Sequence, residues 1–114
     1  MISKKADVEA VLLQARNAID DDSYGFFPVR KTRDAFLHFG IMESDAIEVI
    51  RQLTYQDYCH GPDPDRDFPL GEPLWFFKCV FMGEIIYIKF LIRKTGDSSI
   101  KLMVLSFHPD ELRG

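Results

Sequence analysis

The sequence predicts an α+β domain in which N-terminal helices pack on a C-terminal three-stranded antiparallel β-meander. Two observations carry that reading. Apolar residues recur at helical three- and four-residue spacing as far as Leu53, and at strand-like alternation from Leu74 onward. A stretch rich in proline and glycine separates the two regimes, so helices and strands are segregated along the chain, the arrangement of α+β domains.

The first helix spans Lys4 to Ile19, with Val8, Val11, Leu12, Ala15, Ala18 and Ile19 on one face. The acidic run Asp20-Asp21-Asp22, followed by Ser23 and Gly25, ends it. Phe26-Phe27-Pro28 forms an aromatic entry to a short second helix from Lys31 to Phe39, closed by Gly40. A third helix runs from Glu43 to Leu53, with Ser44 as N-cap and Ala46, Ile47, Ile50 and Leu53 as its apolar stripe. The helical part thus occupies residues 1–56, and an acidic loop occupies 57–73. The meander fills 74–108 as Leu74 to Met82, Ile85 to Arg93 and Ile100 to Phe107, with turns at Gly83-Glu84 and Thr95-Gly96-Asp97-Ser98.

A chain of 114 residues is long enough for one domain, 1–114, and too short for two. Its 46% hydrophobic and 28% charged residues exclude disorder as the dominant state. The opening MISKKADVEAVLLQ sets charge around a short apolar stretch and offers no small-residue cleavage site, unlike a secretory signal. Lys78, Glu84, Lys89 and Arg93 interrupt the most hydrophobic third, which leaves no run of membrane-spanning length. Cys59 and Cys79 belong to no Cys-x-x-Cys pair or Cys/His ligand framework. The expectation is a soluble cytoplasmic protein that needs no membrane, metal or cofactor.

The net charge of −4, from 14 Lys and Arg against 18 Asp and Glu, disfavours a nucleic-acid binder when taken alone. Its distribution is uneven. Asp57, Asp63, Asp65, Asp67 and Glu72 face only Arg66 within the loop, whereas the chain from residue 74 onward is net basic. Arg30, Lys31 and Arg33 form a second basic cluster at the start of the second helix.

Strand parity then singles out candidate residues. In the middle strand Ile86, Ile88, Phe90 and Ile92 share the core side, while Ile85, Tyr87, Lys89, Leu91 and Arg93 share the other. In the last strand Ser106 and His108 point opposite to Phe107, so a suitable register gathers Tyr87, Lys89 and His108 into one patch. His60 and His108 are suited to phosphodiester cleavage, one deprotonating a ribose 2′-hydroxyl and the other protonating the leaving 5′-oxygen. Lys89 and Arg93 supply cations for phosphate, and Tyr87 a hydrogen-bond donor. RNA alone carries that internal nucleophile. The competing reading is a set of ordinary exposed strand and surface residues, in which tyrosine follows β propensity and lysine discourages edge pairing.

Other patterns fail on their own chemistry. Asp63, Asp65 and Asp67 begin like a calcium loop, but Phe68 stands where glycine is needed and Leu74 where glutamate is needed. Cys59 beside His60 lacks a nucleophile motif, and neighbours in sequence rarely aim their side chains at one another.

Five segments taken in order, VRKTRDAFLHFGI, IEVIRQLTYQDYCHG, LWFFKCVF, EIIYIKF and VLSFH, resemble the MqsR (motility quorum-sensing regulator) family of bacterial toxins. The resemblance runs from about Val29 to Phe107. It implies a RelE-like α+β fold and a metal-independent endoribonuclease that cleaves mRNA and is neutralised by a cognate antitoxin. The family's strand tyrosine matches Tyr87, and the lysine two residues later matches Lys89. Its other two functional lysines fall on His60 and His108, and its glutamine after the tryptophan is replaced by Phe76. A catalytically silent protein-binding module of the same fold is the alternative.

Overall fold

The computed structural model describes residues 4–67, 71–96 and 99–110. Three helices, α1 (Lys4–Asp20), α2 (Arg30–Phe39) and α3 (Glu43–Arg51), accompany five strands. The strands are β1 (Tyr24–Phe26), β2 (Tyr58–Asp63), β3 (Leu74–Phe81), β4 (Glu84–Thr95) and β5 (Ser99–Pro109), and a short 3-10 turn, Tyr55–Asp57, leads into β2. They form one sheet in the order β1-β5-β4-β3-β2, with β1 parallel to β5 and the other neighbours antiparallel.

The architecture is α+β, but the predicted three-stranded antiparallel meander is incorrect as a description of the sheet. β3, β4 and β5 are its centre, flanked by a strand on each side, and the parallel β1–β5 pair makes it mixed. Both flanking strands are hidden in sequence for a physical reason. β1 has three residues, too few to show alternation. β2 contains Gly61-Pro62, a pair that reads as loop, and it lies inside the predicted acidic loop 57–73. Residues 68–70 of that loop, and Asp97 and Ser98 of the predicted last turn, lie outside the described residues.

The main core lies between the sheet and helices α1 and α3. The predicted stripe of α1, Val8, Val11, Leu12, Ala15, Ala18 and Ile19, is buried there against Ala46, Ile47, Ile50 and Leu53 and against Phe77, Ile86, Ile88, Phe90, Leu102, Val104 and Phe107 of the sheet. Arg16 of α1 donates from its guanidinium to the carbonyls of Arg51 (3.0 Å) and Leu53 (2.6 Å), satisfying acceptors that the end of α3 leaves open. At the other end of α3 the cap is not Ser44: the Asp45 carboxylate reaches back to accept the Met42 N–H at 2.9 Å.

The outer edge of β5 is closed in two ways. Ser23 and Phe27 bracket β1, with the Leu102 N–H donating to the Ser23 carbonyl (3.0 Å) and the Phe27 N–H to the Val104 carbonyl (2.9 Å). Beyond β1, the buried Thr32 hydroxyl in the first turn of α2 accepts the Phe107 N–H at 3.1 Å. Phe36 then meets both Phe26 and Phe107 edge-on, and Gly40 ends the helix at a left-handed φ of 67°.

The β4–β5 ladder shifts by one residue at Leu105. Phe90 pairs with Val104, but Lys89 pairs with Ser106 and Tyr87 with His108. Leu105 is the extra residue, a β-bulge. It joins Leu74, Phe76, Leu91 and Met103 in a second apolar cluster on the face away from α1 and α3, with Phe27 and Tyr87 packed against it. Among the described residues, no helix contributes to the cluster on this second face, the open face.

Thr32→Val removes the acceptor for a buried N–H while keeping the side chain's shape. Urea unfolding should show a loss of about 1–3 kcal/mol, and Thr32→Ser should recover most of it; equal stability of Thr32→Val and wild type would refute the role given to this hydroxyl.

Candidate functional site

Three of the residues singled out by strand parity meet on the open face. Tyr87 and His108 are direct cross-strand partners with ring centroids 5.6 Å apart, and Lys89 stands two residues along β4 opposite Ser106. β3 adds the next column. Lys78 is paired with Tyr87 and Phe76 with Lys89, whose ammonium lies 5.9 Å from the Phe76 ring centroid. Lys78 is held by an ion pair with Asp110 at 2.9 Å.

His60 reaches this face through an irregularity in β2. Tyr58 pairs with Phe77 and His60 with Phe76, so two β2 steps face one β3 step. The imidazole stacks on Phe76 at 4.0 Å between centroids, with 21° between planes, and Phe76 in turn lies 5.9 Å from Tyr87. Gly61 makes the approach of β2 to β3 feasible: its φ is 127°, and a Cβ there would sit 2.7 Å from the Leu74 carbonyl oxygen. The Tyr58 hydroxyl donates to the Gly61 carbonyl at 2.6 Å and fixes the turn of the strand.

Hydrogen bonding assigns the imidazole tautomers. His108 Nδ1 lies 3.0 Å from the Pro109 carbonyl oxygen, which only accepts, so Nδ1 carries the proton. His60 Nδ1 makes the same kind of bond to the Asp63 carboxylate at 2.5 Å. In the neutral ring each Nε2 therefore keeps its lone pair, the form a general base requires. The Tyr87 hydroxyl has a pKa raised above its usual 10.0, chiefly by burial, with the negative charges of Cys59, Asp110 and Asp63 adding to the effect. It is a donor at every pH at which the protein is expected to work.

Arg93 shares the open face but stands four residues from Lys89, about 13 Å along an extended strand. His60 is separated from His108 by three strand spacings, on the order of 14 Å. Tyr87, Lys89 and His108 are thus the compact group, with His60 and Arg93 on its flanks. His38 lies elsewhere, bonded to Glu84 at 2.7 Å.

Phe76, Asp63, Lys78 and Asp110 were not recognisable as parts of this site from sequence. Phe76 carried two partial signals, its parity with Leu74 on the strand face opposite Phe77 and its place at the position where the resembled family has a glutamine. The irregularity in β2 also brings Cys59 into electrostatic range of Lys78 and Tyr87. Its thiol is pushed up by burial and directed at the Asp57 carbonyl, 3.9 Å away, so it forms no dyad with His60. Among the described residues, no three His, Cys, Asp or Glu side chains converge as metal ligands.

A groove of about 630 Å3 lies between α1 and Trp75, Ile92 and Ile100, and none of the candidate residues lines it. No helix among the described residues is long and apolar enough to cross a membrane.

No family model, curated protein or solved structure matches this chain.

The stacking of His60 on Phe76 gives a direct spectroscopic test. In proton NMR the ring protons of His60 should move downfield in Phe76→Leu, as the ring current of the stacked phenyl is lost. Unchanged His60 resonances in that variant would contradict the stacked arrangement.

Proposed function

We propose that this chain is an endoribonuclease toxin of the MqsR-like kind, cleaving mRNA by attack of a ribose 2′-hydroxyl on the adjacent phosphorus without a metal ion. The facing pair Tyr87 and His108, with Lys89 two residues along β4 on the same face, is the observation that carries the reading. The ordered segments that resemble the family support the choice of mRNA and of an antitoxin as partner.

Each residue has a part set by its chemistry. His108 Nε2 accepts the 2′-hydroxyl proton as the 2′-oxygen bonds to phosphorus. The Lys89 ammonium and the Tyr87 O–H stabilise the charge that gathers on the non-bridging phosphate oxygens. The phosphorus–O5′ bond then breaks, the O5′ takes a proton from water, and a 2′,3′-cyclic phosphate remains. One phosphorus cannot touch both histidines across a span of about 14 Å. In this reading His60 therefore grips the neighbouring nucleotide instead of serving as the second acid–base group, and Arg93 serves as a more distant cation.

An antitoxin has an apolar foothold beside these residues. Val80 and Ile85 are cross-strand partners near the β3–β4 turn, 73% and 50% exposed, on the same face as Lys78 and Tyr87. A protein seated there covers the access to His108.

Incubation of the purified chain with a long RNA in EDTA should yield fragments ending in 2′,3′-cyclic phosphate. His108→Ala should lower kcat by about 10²–10⁴-fold, while His60→Ala should act mainly on KM. RNA left intact by the wild type in the absence of antitoxin would sink the catalytic proposal and favour a silent protein-binding module.

The pH dependence separates Tyr87 from the base. Because its pKa is raised, Tyr87 loses its proton only above pH 10 and contributes no limb to the rate profile below it. Tyr87→Phe should reduce the rate by about 10²–10³-fold, the scale of one lost donor to transition-state charge, with the profile's shape retained from pH 5 to 9. A change in that shape would assign Tyr87 a proton-transfer role instead.

A further inference from the structure

The β4–β5 ladder sets Arg93 directly opposite Lys101 on the open face. Like charges facing each other across a ladder destabilise a sheet unless something of opposite charge lies between them. Neither residue has an acidic partner among the described residues. Among the described residues this is the one place in the sheet where the register opposes two cations.

The surroundings favour a chain-like anion. The row between Lys89 and Arg93 consists of Leu91 and Met103, with Leu74 and Gly25 beside them, so no carboxylate interrupts the path. The Lys101 side chain runs over Gly25, its Cε 3.5 Å and its Nζ 3.7 Å from where a Cβ would be. Glycine at that point leaves the stem of Lys101 room to lie flat against β1 and hold its ammonium on the open face.

The geometry points to a second phosphate subsite, formed by Arg93 and Lys101, that holds single-stranded RNA at a phosphate beyond the one that is cleaved. The inference rests on the endoribonuclease reading for its substrate. At about 13 Å from Lys89 along the strand, the pair is out of reach of the scissile phosphate and suited to one further along the RNA. Arginine offers a planar fork to phosphate and lysine a mobile point charge, so the two embrace one group from adjacent strands. The subsite makes the enzyme prefer substrates longer than a dinucleotide.

The test separates this inference from the catalytic one by using RNA that cannot be cut. Binding of a 2′-O-methyl hexanucleotide is measured by fluorescence anisotropy over a range of salt, for wild type and for the double variant Arg93→Gln/Lys101→Gln. Affinity should fall roughly tenfold, and the plot of log K against log salt should become shallower by about 0.7 for one lost phosphate contact on a single strand. The charge-preserving variant Arg93→Lys/Lys101→Arg should bind within about threefold of wild type, and circular dichroism confirms that all three proteins share one fold. Equal affinity and slope in wild type and the Gln variant, or no binding by wild type, overturns the subsite whatever the cleavage assay gives. Loss of affinity in the Gln variant upholds it even where wild type cleaves nothing, in which case only the catalytic reading falls.

Discussion

A single extra residue in β5 decides what the open face carries. From Ile100 to Val104 the even-numbered residues point to the helices: Leu102 and Val104 pair with Ile92 and Phe90 in the main core. Continued without interruption, that parity would send Ser106 and His108 into the core and Phe107 out to solvent. The bulge at Leu105 reverses it. Phe107 enters the core opposite Ile88, and His108 emerges beside Tyr87. The cost of the bulge is a broken ladder step, offset by the burial of Leu105 against Leu91 and Met103.

β2 uses the same device on the other side of the sheet. Its irregularity between Tyr58 and His60 lets Tyr58 pack toward Phe77 while His60 stacks on Phe76. Two disruptions of regular pairing thus bring histidines to one face from strands that would otherwise bury or misdirect them. The sheet tolerates both because its edges are closed by other means. β1 and the Thr32 hydroxyl cover β5, and Pro62 removes an N–H from the exposed β2 edge.

The same local signals explain what the sequence reveals and what it conceals. The stripe of α1 and the parity of β4 are strong periodic patterns, and the helix face and the open face follow from them residue by residue. The juxtaposition of Tyr87, Lys89 and His108 is legible in part, because parity supplies the face but not the register. His60 and Phe76 are not legible as a pair: their contact depends on a bulge that resembles a loop, in a segment containing Cys59-His60-Gly61-Pro62. The parallel partnership of β1 with β5 is a long-range event between three residues near the N-terminus and a strand almost eighty residues later, and no short-range pattern records it.

Arg16 links the open face to the far side of the molecule. Its guanidinium binds the carbonyls of Arg51 and Leu53, and from Leu53 the chain passes in seven residues to His60 through the stacked rings of Tyr55 and Tyr58. The starting point of β2 is therefore tethered to α1 and not to the sheet alone. A shift of α1 would therefore move the anchor from which β2 sets out, only seven residues before the imidazole that stacks on Phe76, so the geometry of the open face depends on a helix packed against the opposite side of the sheet.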